Sequence, residues 1–221
     1  MTTLFIDTAT PLCAIALEHQ GTLEVRILDD DRQHVEVLAA GVEQLLHEHG
    51  LSMADVQRVA VDRGPGLYTG LRVGVATAVA LSDAVGAELV GVTSLELLAH
   101  GAHAQGRRGN LAAIVDGRRG EVFFQAFELS EVVTARGEAM VRTPNDVVVE
   151  YGTSGAPTMF VGDGAVKYRE FFGLMPWISV PDLGTAWIAA GPTVAALYEP
   201  GPVELLYMRE PDAVANFTTR Q

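Results

Sequence analysis

One stretch constrains this chain more than any other: Asp62-Arg63-Gly64-Pro65-Gly66-Leu67-Tyr68-Thr69-Gly70-Leu71-Arg72-Val73-Gly74. An apolar run, Val59-Ala60-Val61, enters it, and a small-residue run from Leu71 to Ala84 leaves it. Gly64, Gly66 and Gly70 can take positive φ, and Pro65 fixes its own φ between two of them. The pattern predicts a stiff strand-to-helix turn with outward N–H groups and Thr69 as the helix cap. Such a turn can hold an anion at a helix N-terminus. It can equally let another backbone approach closely.

The elements around it follow in a regular order. Thr3–Asp7, Cys13–Glu18 and Leu23–Leu28 read as an antiparallel meander with tight turns. Asp29-Asp30-Asp31-Arg32 is an acidic connection into a helix from about His34 to His49, which Gly50 closes. A strand over 58–62, the glycine turn, a helix from Thr69 to Val85, a strand over 88–92 and a helix from Ser94 to Gln105 complete the first half. The 69–85 helix is apolar on nearly every side, so something must cover it all round, within the chain or from a partner. After Arg107-Arg108-Gly109-Asn110 the order restarts. Strands are expected at Leu111–Asp116, Glu121–Glu128, around Val132–Met140, at Met159–Val161 and at Trp177–Val180. Helices are expected over 144–151, 165–172 and 185–197. The reading is a duplicated α/β unit, with lobes over 1–106 and 107–202 and a tail over 203–221.

Composition narrows what the fold can do. The chain has 221 residues and a formal net charge of −13, so it is a poor match for a polyanion by itself. Its single cysteine, Cys13, allows no internal disulfide and reads as a buried structural thiol. No apolar run is long enough for a membrane span, and no basic-then-apolar leader opens the chain. A cytoplasmic location is expected.

Few side chains suggest chemistry. Asp7 and Asp116 end the first strand of each half and could face each other across a cleft, holding a nucleotide-bound Mg²⁺ through waters. The reading in which each caps its own turn is favoured, because Thr8-Ala9-Thr10 lacks a glycine to wrap phosphate. Gly162-Asp163-Gly164 could form an adenosine-side loop, and Arg118 and Arg119 could grip phosphate in the second turn. The histidines do not share a helix face with a third ligand. Ser94, Thr69 and Ser154 lack the Gly-x-Ser-x-Gly setting of an activated serine. No catalytic set, metal site or cofactor is expected.

Leu4–Thr10, Arg63–Gly74, Val92-Thr93-Ser94-Leu95 and Val115–Phe123 together resemble the TsaB (YeaZ) family. Tyr207-Met208-Arg209 is a fainter echo. The resemblance implies a two-lobed actin, sugar kinase and Hsp70 ATPase-like (ASKHA) fold with ribonuclease H-like lobes. It also implies a non-catalytic job. Proteins of this family look like diverged copies of TsaD, which transfers threonylcarbamoyl to N6 of adenosine 37 in tRNAs reading codons that begin with A. They pair with TsaD, and the ATPase TsaE joins them, so tRNA is met only through the complex. Where TsaD carries a metal-binding His-His-x-Glu-Gly-His segment, this chain has Thr93-Ser94-Leu95-Glu96-Leu97-Leu98. Leucine cannot ligate a metal.

In the family the first two helices form the pairing surface. Leu38, Val42, Leu45, Leu71, Val75, Ala78 and Val79 are the expected contacts, and self-pairing into a homodimer is expected when TsaD is missing. Leu45→Glu or Val75→Glu should then break pairing more than folding. The rival reading is an ATP-binding phosphotransferase or ATPase of the same superfamily. A peptidase has no zinc or serine machinery to support it.

Overall fold

The computed structural model describes residues 1–28, 34–152 and 155–209. The acidic connection at 29–32, Ser154 and the tail beyond Arg209 lie outside them. Strands β1 (Thr2–Asp7), β2 (Ala14–His19) and β3 (Thr22–Ile27) form the expected meander, with Thr2 opposite His19 and Asp7 opposite Ala14. Helix α1 (His34–Glu48) then leads to β4 (Arg58–Asp62), which lies parallel to β1. Helix α2 (Tyr68–Val85) returns the chain to β5 (Glu88–Val92), parallel to β4. The five-stranded sheet has the order β3-β2-β1-β4-β5. Gly86 ends α2 in the left-handed region at φ 69°.

The second half repeats the plan. Helix α3 (Ser94–Ala104) leads to β6 (Gly109–Arg118) and β7 (Glu121–Leu129), an antiparallel hairpin. The expected third run is two short strands, β8 (Val133–Ala135) and β9 (Met140–Arg142), both paired to β7 and parted by Gly137 at φ 119°. Helix α4 (Pro144–Gly152), β10 (Thr158–Val161), helices α5 (Asp163–Lys167) and α6 (Arg169–Phe172), and β11 (Ile178–Ser179) follow. The main path β11-β10-β6-β7-β8 mirrors the order of the first sheet. Each sheet is a three-strand antiparallel meander extended by two parallel strands, the ribonuclease H-like arrangement, and the molecule is a two-lobed duplicate.

The single helix expected over 185–197 is two short helices, α7 (Ala186–Ala189) and α8 (Gly191–Ala195). Pro192 sits in the first turn of α8, where a missing N–H costs nothing. A Cβ on Gly191 would lie 2.3 Å from the Phe5 ring, so α8 presses directly on the first sheet.

The core divides by face rather than by sequence half. On one side of the first sheet, α1 and α2 bury Leu38, Val42, Leu45, Val75 and Ala78 against Leu4, Ile6, Ile15 and Val61. On the other side, Phe5, Ala16 and Ala60 meet Ile188, Val194 and Ala195 of α7 and α8. Helix α3 belongs by sequence to the first half, yet Leu95, Leu98 and Ala102 pack on β6 and β7 of the second sheet. The two halves thus exchange helices across the boundary at residue 106.

Candidate functional site

The glycine turn is built for close backbone approach. A Cβ on Gly70 would lie 1.9 Å from the Thr8 carbonyl oxygen, and one on Gly66 would lie 2.2 Å from the Ala9 carbonyl oxygen. Leu67 N–H donates to that Ala9 carbonyl at 2.7 Å, and the Thr8 hydroxyl donates to the Gly70 carbonyl at 2.7 Å. The β1–β2 turn therefore packs backbone to backbone on the glycine turn. Of the two uses open to this turn, backbone approach is the one realised. Thr69 is not the cap: Leu67 holds that position without a side-chain bond, and Thr69 is exposed.

The motif's two arginines hold the tail. The Arg63 carbonyl accepts from Leu206 N–H at 2.8 Å, and its guanidinium reaches the Glu204 carbonyl at 3.4 Å. Arg72 Nε donates to the Tyr207 hydroxyl at 3.0 Å, and its guanidinium carbon lies 4.0 Å from the Tyr68 ring centroid. These bonds join residues more than a hundred positions apart, so no local pattern in the tail announces them.

Parallel pairing of β1 and β4 sets Asp7 beside Asp62 at the strand ends. Both are fully buried. Asp7 Oδ1 accepts from Ala9 N–H at 2.8 Å, capping its turn as expected. Asp7 Oδ2 is the one fully buried side-chain polar atom without a partner among the described residues. Burial, then the charge of Asp62, pushes the Asp7 carboxyl well above its ordinary range. Burial likewise raises Asp62 from 3.8 to about 7. Asp62 Oδ1 accepts from Gly64 N–H at 2.8 Å, and Ser94 Oγ lies 2.7 and 2.8 Å from the two carboxyl oxygens. Ser94 is therefore a buried partner of Asp62. The cap of α3 is Thr93, in a reciprocal box with Glu96. Asp62 and Ser94 were missed in sequence, since 32 positions separate them.

Asp116 is nearly buried, at 7% exposure, and also caps its turn, its Oδ1 accepting from Arg118 N–H at 3.0 Å. Lys167 Nζ donates to both its oxygens at 2.9 Å. Gly162 sits at φ 108°, and a Cβ there would lie 2.3 Å from the Ile114 carbonyl oxygen. One on Gly164 would lie 2.9 Å from the Val115 carbonyl carbon. Both glycines thus serve the packing of α5 on β6, while Asp163 Oδ1 accepts from the N–H groups of Asp116 and Gly164. Between the lobes lies a cavity of about 440 Å³, walled by Leu98, Val166, Leu183 and Trp187, with Asp163 and Lys167 at its polar side. This set does not fit a nucleotide-bound cation. Asp116 is already neutralised by Lys167, and the Thr8–Ala9 turn is already bonded to the glycine turn.

Of the expected pairing residues, Leu38, Val42, Leu45, Leu71, Val75 and Ala78 are buried in the chain's own core, and Val79 is half-buried. Their apolar stripe faces the first sheet. The outer side of α2 carries Arg72, Ala76, Ala80, Asp83 and Ala84, all exposed, and α1 exposes Ala39, Ala40, Glu43 and Gln44.

Residues 28–199 match the family model of TsaD, described as tRNA N6-adenosine threonylcarbamoyltransferase. The TsaB protein of Escherichia coli is 36% identical over 140 residues, covering 62% of this chain and 60% of that protein. TsaB of Bacillus subtilis is 29% identical over 216 residues, covering 94% of this chain and 86% of its own length. A crystal structure of a Pseudomonas aeruginosa protein described by its similarity to the peptidase YeaZ superposes with a TM-score of 0.79. It is 27% identical and covers 94% of this chain and 99% of its own. The chain belongs to the TsaB (YeaZ) family. For a TsaB-family chain, the local details around α3 acquire meaning. Ser94 and Leu98 are the two residues that the resemblance sets against TsaD histidines. Ser94 is bonded to Asp62, and Leu98 walls the apolar cavity.

Proposed function

We propose that this chain is a non-catalytic scaffold subunit in threonylcarbamoyl transfer to N6 of tRNA adenosine 37. It acts in the cytoplasm by pairing with a TsaD-like catalytic subunit, which a TsaE-like ATPase joins. Family membership supports the pathway. The observation that carries the scaffold role is the outer side of α2. This helix is apolar around most of its circumference, yet its own lobe covers only one side and leaves Ala76, Ala80 and Ala84 at the surface. Small side chains there let a second helix approach to roughly 8–10 Å between axes. The pairing surface is therefore moved from the buried stripe to this outer side, with the exposed side of α1 beside it.

The test is co-purification with the cognate TsaD-like subunit, followed by size-exclusion chromatography. Ala80→Arg should abolish the pair while leaving the melting temperature of the chain alone unchanged. Recovery of the full complex with Ala80→Arg would refute this face, and recovery of none with the wild-type chain would refute the scaffold role. Against the rival reading, an ATP-binding phosphotransferase, stand the Lys167-held Asp116 and the β1–β2 turn bonded to the glycine turn. Titration calorimetry of the isolated chain with ATP and Mg²⁺ separates the two, with no micromolar binding expected of the scaffold.

A further inference from the structure

In a chain of net charge −13 the places where cations gather are informative. A second cavity, of about 450 Å³, opens between the glycine turn, the β6–β7 turn and the tail. Three guanidiniums line it, those of Arg72, Arg118 and Arg209, together with Tyr68 and Tyr207. The two rings lie 5.0 Å apart at 30°, with Tyr68 36% and Tyr207 39% exposed.

The local charge is positive. Asp116 also lines the cavity, but both of its oxygens are held by Lys167, so its 3.3 Å contact leaves Arg118 in excess. Glu121 offsets Arg209 at 2.8 Å. Arg72 meets only neutral aromatic groups in its described contacts. With Asp163, which the Arg118 charge also reaches, four cations stand against three carboxylates. Arg118 and Arg119 also hold consecutive positive φ values of 61° and 53° at the β6–β7 turn. That backbone suits Asn-Gly and is strained for long side chains, and such strain gathers at functional sites.

We propose that this cleft receives one nucleotide of an RNA strand, with its phosphate on Arg72 and Arg118 and its base against the tyrosine rings. Guanidiniums match phosphate bidentately, and exposed rings stack unpaired bases. An acidic peptide would use the cations and leave the rings idle. The proposal deepens the function proposed above. If the chain serves tRNA modification, it touches the tRNA itself and not only the subunit that modifies it.

The test is fluorescence anisotropy with a labelled, unmodified anticodon stem-loop RNA, over a salt series. It is run on the full chain alone and on its complex with the TsaD-like subunit. Tyr207→Ala should weaken binding about tenfold. Arg118→Asn should lower the slope of log affinity against log salt by about one. Asn also relieves the strained turn, so RNA affinity should fall while the melting temperature holds or rises. A structural role for Arg118 would move both downward. Unchanged RNA affinity in both variants overturns the proposal and leaves the cleft to an acidic protein segment. Binding of adenosine monophosphate but not RNA, lost in Arg118→Asn, overturns it in favour of a free nucleotide. The chain-alone arm decides the cleft whether or not the pair forms. Absence of the pair counts against the scaffold reading alone.

Discussion

Asp62 gives the sharpest test of the buried site. Its carboxyl is fully buried beside Asp7, and burial raises it from 3.8 to about 7. Geometry agrees with a neutral group. Ser94 Oγ has three oxygen neighbours, two on Asp62 and the Pro65 carbonyl at 2.8 Å, but one proton to give. A proton on Asp62 lets the carboxyl donate to Ser94 while Ser94 donates to Pro65. Each pH unit between the folded and unfolded values is worth about 1.4 kcal/mol, so ionising Asp62 in the folded chain costs about 4 kcal/mol. A raised carboxyl value means the folded state holds the proton more tightly. The stability it confers is complete below pH 3.8 and is lost as pH rises from there through about 7. Asp62→Asn keeps the shape and cannot ionise. Its unfolding free energy relative to wild type should therefore rise by about 3 kcal/mol between pH 5 and pH 8. Urea denaturation followed by circular dichroism at the two pH values measures this difference, which also carries the release of Asp7 from the Asp62 charge. A difference that stays flat with pH, or falls, would refute the buried-proton argument.

Four further outcomes follow from packing and burial. Gly70→Ala places a methyl 1.9 Å from the Thr8 carbonyl and should cost at least about 3 kcal/mol in the same assay. Gly86→Ala meets nothing within 4 Å and should cost only about 1 kcal/mol, for its φ of 69°. Leu45→Glu and Val75→Glu were expected to break pairing more than folding. With those side chains 0% and 7% exposed in the chain's own core, both should instead unfold the first lobe, seen as loss of the cooperative melt. Cys13 is 3% exposed with its thiol pushed up to about 11, so a thiol reagent at pH 8 should label it only as fast as the chain unfolds.

What could be read in advance depended on how far each signal reached along the chain. The β1–β3 meander, α1 and the β4–α2–β5 unit rest on periodicity and on glycines at their ends, and these act over a few residues. The second half was read less well for the same reason. Its helices are short, α5 and α6 meet at Tyr168, and Pro192 divides the run expected to be one helix. Hydrophobic stripes identify which side of a helix is covered, but not what covers it. Leu38, Leu45 and Val75 therefore looked like contacts for a partner until the sheet beneath them was placed. The glycine turn posed the same ambiguity. An anion and a carbonyl make the same demand on glycine, and only the position of Thr8 and Ala9 separates them. That distinction matters for the proposed RNA cleft. Because Gly66 and Gly70 are used up in locking the β1–β2 turn to α2, the motif's free chemistry lies in Arg72 and Tyr68, which face the tail. A ligand of this turn then has the Arg72 and Tyr68 side chains to meet. The effect of Arg72→Ala should accordingly appear in ligand affinity and in the hold on Tyr207, and leave the glycine turn's own bonds intact.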